Sequence, residues 1–76
     1  MKPGGVVYSR KQTCHYLGNG HYIVVRAAWA GQGWLIEERT AFYGSRILDR
    51  MGSRAEADLL AAMYAAARGV YTGKAA

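Results

Sequence analysis

Cys14 and His15 stand side by side, and a thiol next to an imidazole is the raw material of a thiolate nucleophile with its base. On a β-strand, however, neighbouring side chains point to opposite faces, so the pair cannot readily meet. Cys14 reads instead as a small core hydrophobe. Cys14, His15 and His21 fail as a metal set for a similar reason. His15 faces away from Cys14, and His21 lies further up the hairpin, whereas metal ligands must converge to about 2 Å. There is no carboxylate cluster, no Ser-His-Asp set and no Walker-type loop. Gly18-x-Gly20 and Gly31-x-Gly33 resemble fragments of phosphate loops, but both fall in hairpin turns. The expectation is a non-enzymatic protein with no metal and no cofactor.

Basic residues are the better candidates. Lys11, Arg26 and Arg39, with His15 and Tyr22 among them, fall on one face of the expected sheet. A two- or three-stranded ribbon fits the major groove of DNA, where Arg reaches guanine edges and Lys reaches phosphates. Arg46, Arg50 and Arg54 recur at four-residue spacing and fringe the entry to a helix, extending that surface. The competing reading is a solvated face in which Glu37 cancels part of the charge beside Arg26, and Asp49 balances the fringe. A second candidate surface is the Ala-rich back of the helix, Ala61, Ala62 and Ala65, where small side chains allow a partner or a second copy to approach closely. Alanine also favours helix in any setting. Exposed Tyr8, Tyr22, Tyr43 or Tyr71 would suit either base stacking or a protein interface.

The charge distribution points the same way. No acidic residue precedes Glu37, whereas Lys2, Arg10, Lys11 and Arg26 all do. The net charge of +5 and pI near 9.7 favour a polyanionic partner. At 76 residues with 51% hydrophobic content, the chain reads as one ordered domain over 1–76. A single cysteine fits a reducing compartment, and no stretch reads as a signal peptide or membrane span. The expected location is therefore cytoplasmic.

These residues need elements to position them. Residues 1–5 read as a loose leader and 72–76 as a loose tail, with an antiparallel sheet over 6–51 between them. Val6 to Leu17 and His21 to Ala30 read as strands joined at Asn19-Gly20, a pair suited to a type I′ turn. That register sets His21 opposite Gly18, Val25 opposite Cys14 and Trp29 opposite Arg10. A Gly31-Gln32 turn then sets Trp29 opposite Trp34, Ala27 opposite Ile36 and Arg26 opposite Glu37, followed by a third strand from Trp34 to Tyr43. Gly44-Ser45 breaks that strand, and Arg46 to Met51 reads as either a short fourth strand or a connection.

Ser53 with Glu56 forms a capping box, and Gly69 suits the end of a helix over 53–69. Leu60, Met63, Tyr64 and Ala67 would share the face turned to the sheet. Cys14, Tyr16, Ile23, Val25, Ala27, Trp29, Trp34 and Ile36 form the more apolar sheet face, with Glu38 intruding. Lys11, Thr13, His15, Tyr22, Val24, Arg26, Glu37 and Arg39 would face water. The expected fold is α+β: three or four antiparallel strands packed on one C-terminal helix.

From Tyr22 to Gly73 this order of elements resembles the AP2-type DNA-binding domain and the arm-binding domains of some phage integrases. The local likeness is Ala55-Glu56-Ala57 followed by Ala62-Met63-Tyr64-Ala65-Ala66-Ala67 and Gly69, with Trp29 and Trp34 where such domains place strand aromatics. The resemblance implies DNA reading by the sheet. The leading expectation is thus nucleic-acid binding, duplex DNA before RNA. The alternative is a phage or mobile-element inhibitor or adaptor, such as an anti-CRISPR protein, docked on a host protein or ribonucleoprotein complex. A homodimer is a further option; a membrane is not.

Overall fold

The structure, a computed structural model, describes residues 5–18, 20–40 and 44–68. The turn assigned to Asn19, the helix cap assigned to Gly69, and Tyr43 and Tyr71 lie outside them. Strands β1 (Val6–Tyr8), β2 (Gln12–Gly18), β3 (His21–Ala27), β4 (Trp34–Thr40) and β5 (Gly44–Met51) precede helix α1 (Arg54–Arg68). The strands form one five-stranded antiparallel sheet in chain order. The α+β class stands, and the strand count rises from three or four to five.

Both extra strands have local causes. The segment read as one strand from Val6 to Leu17 breaks at Ser9, whose amide donates to the Gln12 carbonyl at 2.8 Å. The Ser9 hydroxyl donates to that same carbonyl at 3.0 Å and accepts from the Gln12 amide at 3.2 Å. A serine closing a turn on its own backbone explains the reversal without Gly or Pro. Arg10 and Lys11 occupy this turn, so Lys11 is not on a strand. β5 begins at Gly44, whose φ of 84° is open to glycine, and pairs with β4 along its length.

Register is the main correction. Gly18 pairs with His21 as expected, but a bulge at Leu17 shifts every pair beyond it, so Cys14 meets Val24 and Thr13 meets Val25. A one-residue slip exchanges the two faces of a strand. Thr13, His15 and Leu17 therefore lie on the helix side, and Gln12, Cys14 and Tyr16 on the other. Between β3 and β4 the shift is two residues, which preserves faces. Ala27 pairs with Trp34 and Arg26 with Leu35, because residues 28–33 form a longer connection containing a 3₁₀ turn at Trp29–Gly31. Trp29 thus faces neither Arg10 nor Trp34.

α1 packs on Leu17, Ile23, Val25 and Ile36, all fully buried. Removing each such side chain from water is worth on the order of 1.5–3 kcal/mol. The helix contributes Ala57, Ala61 and Ala65, also fully buried, with Leu60 and Tyr64 at the margin. Leu59 and Met63 point outward, 68% and 61% exposed. The helix is rotated from the orientation that its larger side chains suggest. Its alanine stripe lets it approach the sheet closely, and the branched sheet side chains fill the space between. Ala61 and Ala65 are consequently core, not a docking surface.

Ser53 caps the helix, accepting from the Glu56 amide at 3.2 Å and donating to the Glu56 carboxylate at 3.3 Å.

Candidate functional site

The helix covers one side of the sheet, and among the described residues no element packs on the other. Register arranges the open side in three rows. The first holds Gln12, Arg26, Leu35 and Arg50. The second holds Val7, Cys14, Val24, Glu37 and Ile47. The third holds Tyr16, Tyr22, Arg39 and Ser45. Among the described strand residues, charge on this side amounts to three arginines against one carboxylate.

That carboxylate organises the face. Arg26 Nε donates to Glu37 Oε1 at 3.0 Å, and Arg39 donates to the same oxygen from Nε at 3.2 Å and Nη2 at 3.0 Å. The Glu37 side chain is only 8% exposed, whereas both arginines keep 38% of theirs in solvent. Burial pushes the Glu37 carboxyl up, but hydrogen bonds from Arg26, Ser45 and Arg39 outweigh it and hold the group below its ordinary value. Glu37 therefore stays ionised and pins two guanidinium groups. Arg26 uses Nε alone, so its terminal nitrogens lie outside that bond. Folding the long side chains toward Glu37 also explains why Val24, central on an uncovered face, is only 1% exposed.

Aromatic surface adjoins the arginines. Tyr16 and Tyr22 meet edge to face with centroids 5.4 Å apart, and Tyr22 pairs with Arg39 across β3 and β4. Tyr16 remains 41% exposed. At the far end, beyond Arg26 and Arg50, the 28–33 connection carries Trp29 at 86% exposure. The Ala28 amide closes the connection on the Gly33 carbonyl at 2.8 Å. Ala30 takes a left-handed conformation, φ 53°, which costs a non-glycine residue about 1–2 kcal/mol. A strained loop that holds a tryptophan in water contributes little to folding. Arg10 and Lys11, both exposed, occupy the turn at this same end of the sheet.

The remaining basic candidates separate. Arg46 lies on the helix side, 3.4 Å from Glu38, with its side chain 73% exposed. Arg54 is committed to the fold. Its guanidinium donates to the carbonyls of Ser9 (2.6 Å) and Arg10 (2.9 Å) and to the Thr13 hydroxyl (3.0 Å). It also lies 4.0 Å from the Tyr8 ring centroid and 5.3 Å from that of Trp34. Of the six bases, then, Arg26, Arg39 and Arg50 share the open face, Lys11 borders it, and Arg46 and Arg54 lie behind it. Tyr22 sits on the open face; Ala62 is half-buried beside the alanine stripe.

Cys14 and His15 are separated by the sheet itself, as strand alternation requires. Cys14 is buried on the open side, and burial pushes its thiol pKa up, away from the reactive thiolate. His15 is 4% exposed under the helix, where burial pushes its pKa down against the opposing charge of Asp58. Among the described residues, no three His, Cys, Asp or Glu side chains group to hold a metal ion. No helix among them is long and apolar enough to cross a membrane. An open cleft of about 300 Å³ at the Thr40–Gly44 end of the β4–β5 pair is lined by Glu38, Thr40, Gly44, Ser45 and Arg46. Its charged members already pair with each other.

Tyr16 and Trp29 were not legible as surface residues. The Leu17 bulge abuts Gly18 at φ 88°, a glycine that reads equally as part of the Gly18-Asn19-Gly20 turn, and the pairing of Trp29 with Trp34 assumes the shortest turn. Gly31 and Gly33, both at positive φ, are the trace of the longer connection. No family model, curated protein or solved structure matches this chain.

Proposed function

We propose that this protein is a non-enzymatic nucleic-acid-binding protein whose contact surface is the open face of the sheet. The observation that carries the reading is the Arg26–Glu37–Arg39 cluster. A buried carboxylate fixes two half-exposed guanidinium groups on an uncovered face, between a tyrosine pair and a third arginine. Pinned arginines lose less side-chain entropy on binding a phosphate or base edge than free ones do, and their planar forks suit both. The net charge of +5 adds attraction at longer range.

Fluorescence anisotropy with labelled single-stranded and duplex 15-mers, titrated between 50 and 200 mM NaCl, tests this directly. Affinity should fall linearly on a log–log plot, as counterion release requires. The R26A/R39A double variant should weaken binding at least tenfold and lower the slope by roughly 2, whereas R46A should leave the slope unchanged. Absence of salt-dependent binding to every probe at 50 mM would sink the reading.

A second reading, docking on a host protein complex in the manner of an anti-CRISPR inhibitor or adaptor, draws on a different observation. Leu59 and Met63 lie one turn apart on the outer helix face and are mostly exposed. If that ridge is the contact, L59S/M63S abolishes nuclease-resistant capture of a defined host complex while R26A/R39A leaves it intact.

A further inference from the structure

We infer that the open face takes single-stranded nucleic acid in preference to duplex, with Trp29 stacking on an unpaired base at one end and the Tyr16–Tyr22 pair receiving another. This rests on the nucleic-acid reading above and specifies its ligand.

Width argues first. A ribbon of two or three strands enters a major groove about 12 Å wide. Here the sheet has five strands, and four spacings of about 4.8 Å make the face roughly 19 Å across. Arg26 and Arg39 lie on the interior strands β3 and β4, with β2 and β5 outside them. They cannot reach the floor of a groove that the sheet does not enter. A flexible single strand can instead lie across the face.

Aromatic chemistry argues second. Bases within a duplex are stacked on each other and offer no ring face to a side chain, whereas unpaired bases do. Trp29 is 86% exposed and Tyr16 41% exposed, at opposite ends of a face that carries arginines between them. From the Tyr22 row to the Arg26 row is four residues of strand, about 13 Å. The exposed Val7 and Ile47 in the middle row add apolar contact, which sugar and base edges accept and a phosphate-lined duplex surface does not. Alternating ring and guanidinium groups along a shallow basic surface form the pattern that binds single strands with little sequence preference.

Trp29 is the discriminating residue because its exposure separates its role from folding. It is one of two tryptophans, and the other, Trp34, is half-buried with the Arg54 guanidinium over its ring. Stacking on a base quenches indole emission, so Trp29 reports its own contact.

The test uses the full chain with oligo(dT) and oligo(U) 15-mers and a 15-base-pair mixed duplex, all at 100 mM NaCl. Both single strands should bind at least tenfold tighter than the duplex, with tryptophan emission quenched on binding. W29A should weaken single-strand binding by about tenfold, in keeping with the loss of one stacked base, and duplex binding hardly at all. W29F should retain most of the affinity without the quench. Because Trp29 lies outside the core, unchanged circular dichroism of both variants is expected. A preference for dT or U reports on the sugar together with the thymine methyl; with either, single-strand preference supports the inference. Duplex binding equal to or tighter than single-strand binding, or W29A affecting both alike, overturns it while the nucleic-acid reading survives. Failure of all three probes to bind overturns both.

Discussion

Glu37 and Glu38 are neighbours on β4 that point to opposite sides of the sheet, and each accepts hydrogen bonds from two arginines. On the helix side, Glu38 receives Arg68 at 3.0 Å and Arg46 at 3.4 Å. It thereby ties the last turn of α1 to β4 and β5, three elements that meet at the end of the core. On the open side, Glu37 receives Arg26 and Arg39 from β3 and its own strand, which the backbone ladder already joins. The same residue types, two arginines on one glutamate, thus have different consequences. The Glu38 cluster fastens the helix, whereas the Glu37 cluster fixes chiefly the positions of its own arginines. Ion pairs within strands already joined by their backbone ladder add little to tertiary connection. Buried pairs are in any case weak evidence for stabilisation.

Tests that separate the two faces range from large to small effects. The helix side depends on the alanine stripe, so A61L should cost about 1–3 kcal/mol by forcing the helix off Ile23 and Val25. The same change at exposed Ala66 should stay within about 0.5 kcal/mol. Equal chemical denaturation midpoints for A61L and A66L would mean that the helix does not pack through its alanines.

The carboxylates come next. E38Q should lose about 1–2 kcal/mol and fray the last helical turn, seen as reduced ellipticity at 222 nm. E37Q should lose less than about 1 kcal/mol, since it removes a buried charge and leaves two arginines that water can still reach. It should nevertheless weaken nucleic-acid binding several-fold by releasing them. The reverse order of destabilisation would undo the contrast.

Smallest is the response to pH. The His15 pKa is lowered by burial from its ordinary 6.5, so folding favours the neutral ring. Its contribution is complete above about pH 6.5 and declines as pH falls toward the lowered folded value. Glu37 and Glu38, both held below their ordinary 4.5, contribute fully above that pH and lose their contribution only as it falls further. Thermal melts should therefore show a shallow loss beginning near pH 6.5 and a second below 4.5, with H15Q lacking the first. A melting temperature unchanged between pH 7.5 and 5.5 would contradict a neutral buried His15.

Legibility in the sequence followed local physics. The helix start at Ser53–Glu56, the strand-rich first two thirds and the α+β class were all readable from capping chemistry and composition. The Arg26–Glu37 pair was readable too, because a two-residue shift keeps faces and brings the partners into diagonal contact. What failed depended on single residues whose signal is absent, as at Ser9, or is shared with a neighbouring turn, as at Gly18 beside Leu17. Ser9 closes a turn, and Leu17 bulges and so reverses β2, exchanging His15 for Tyr16 at the surface. The helix orientation failed because hydrophobicity ranks Leu59 and Met63 above alanine, whereas close approach to a branched sheet favours alanine. Arg54 looked like a surface base from its spacing, and only the fold brings Ser9, Arg10 and Thr13 around its guanidinium.

The most direct test of the open face as the interface is a ¹⁵N–¹H NMR titration of the intact chain with oligo(dT). Expected are shift changes concentrated at Tyr16, Tyr22, Arg26, Glu37, Arg39 and the Trp29 indole, with Leu59, Met63 and Arg46 unmoved. Perturbations confined to the outer helix face, or none at saturating oligonucleotide, would contradict it.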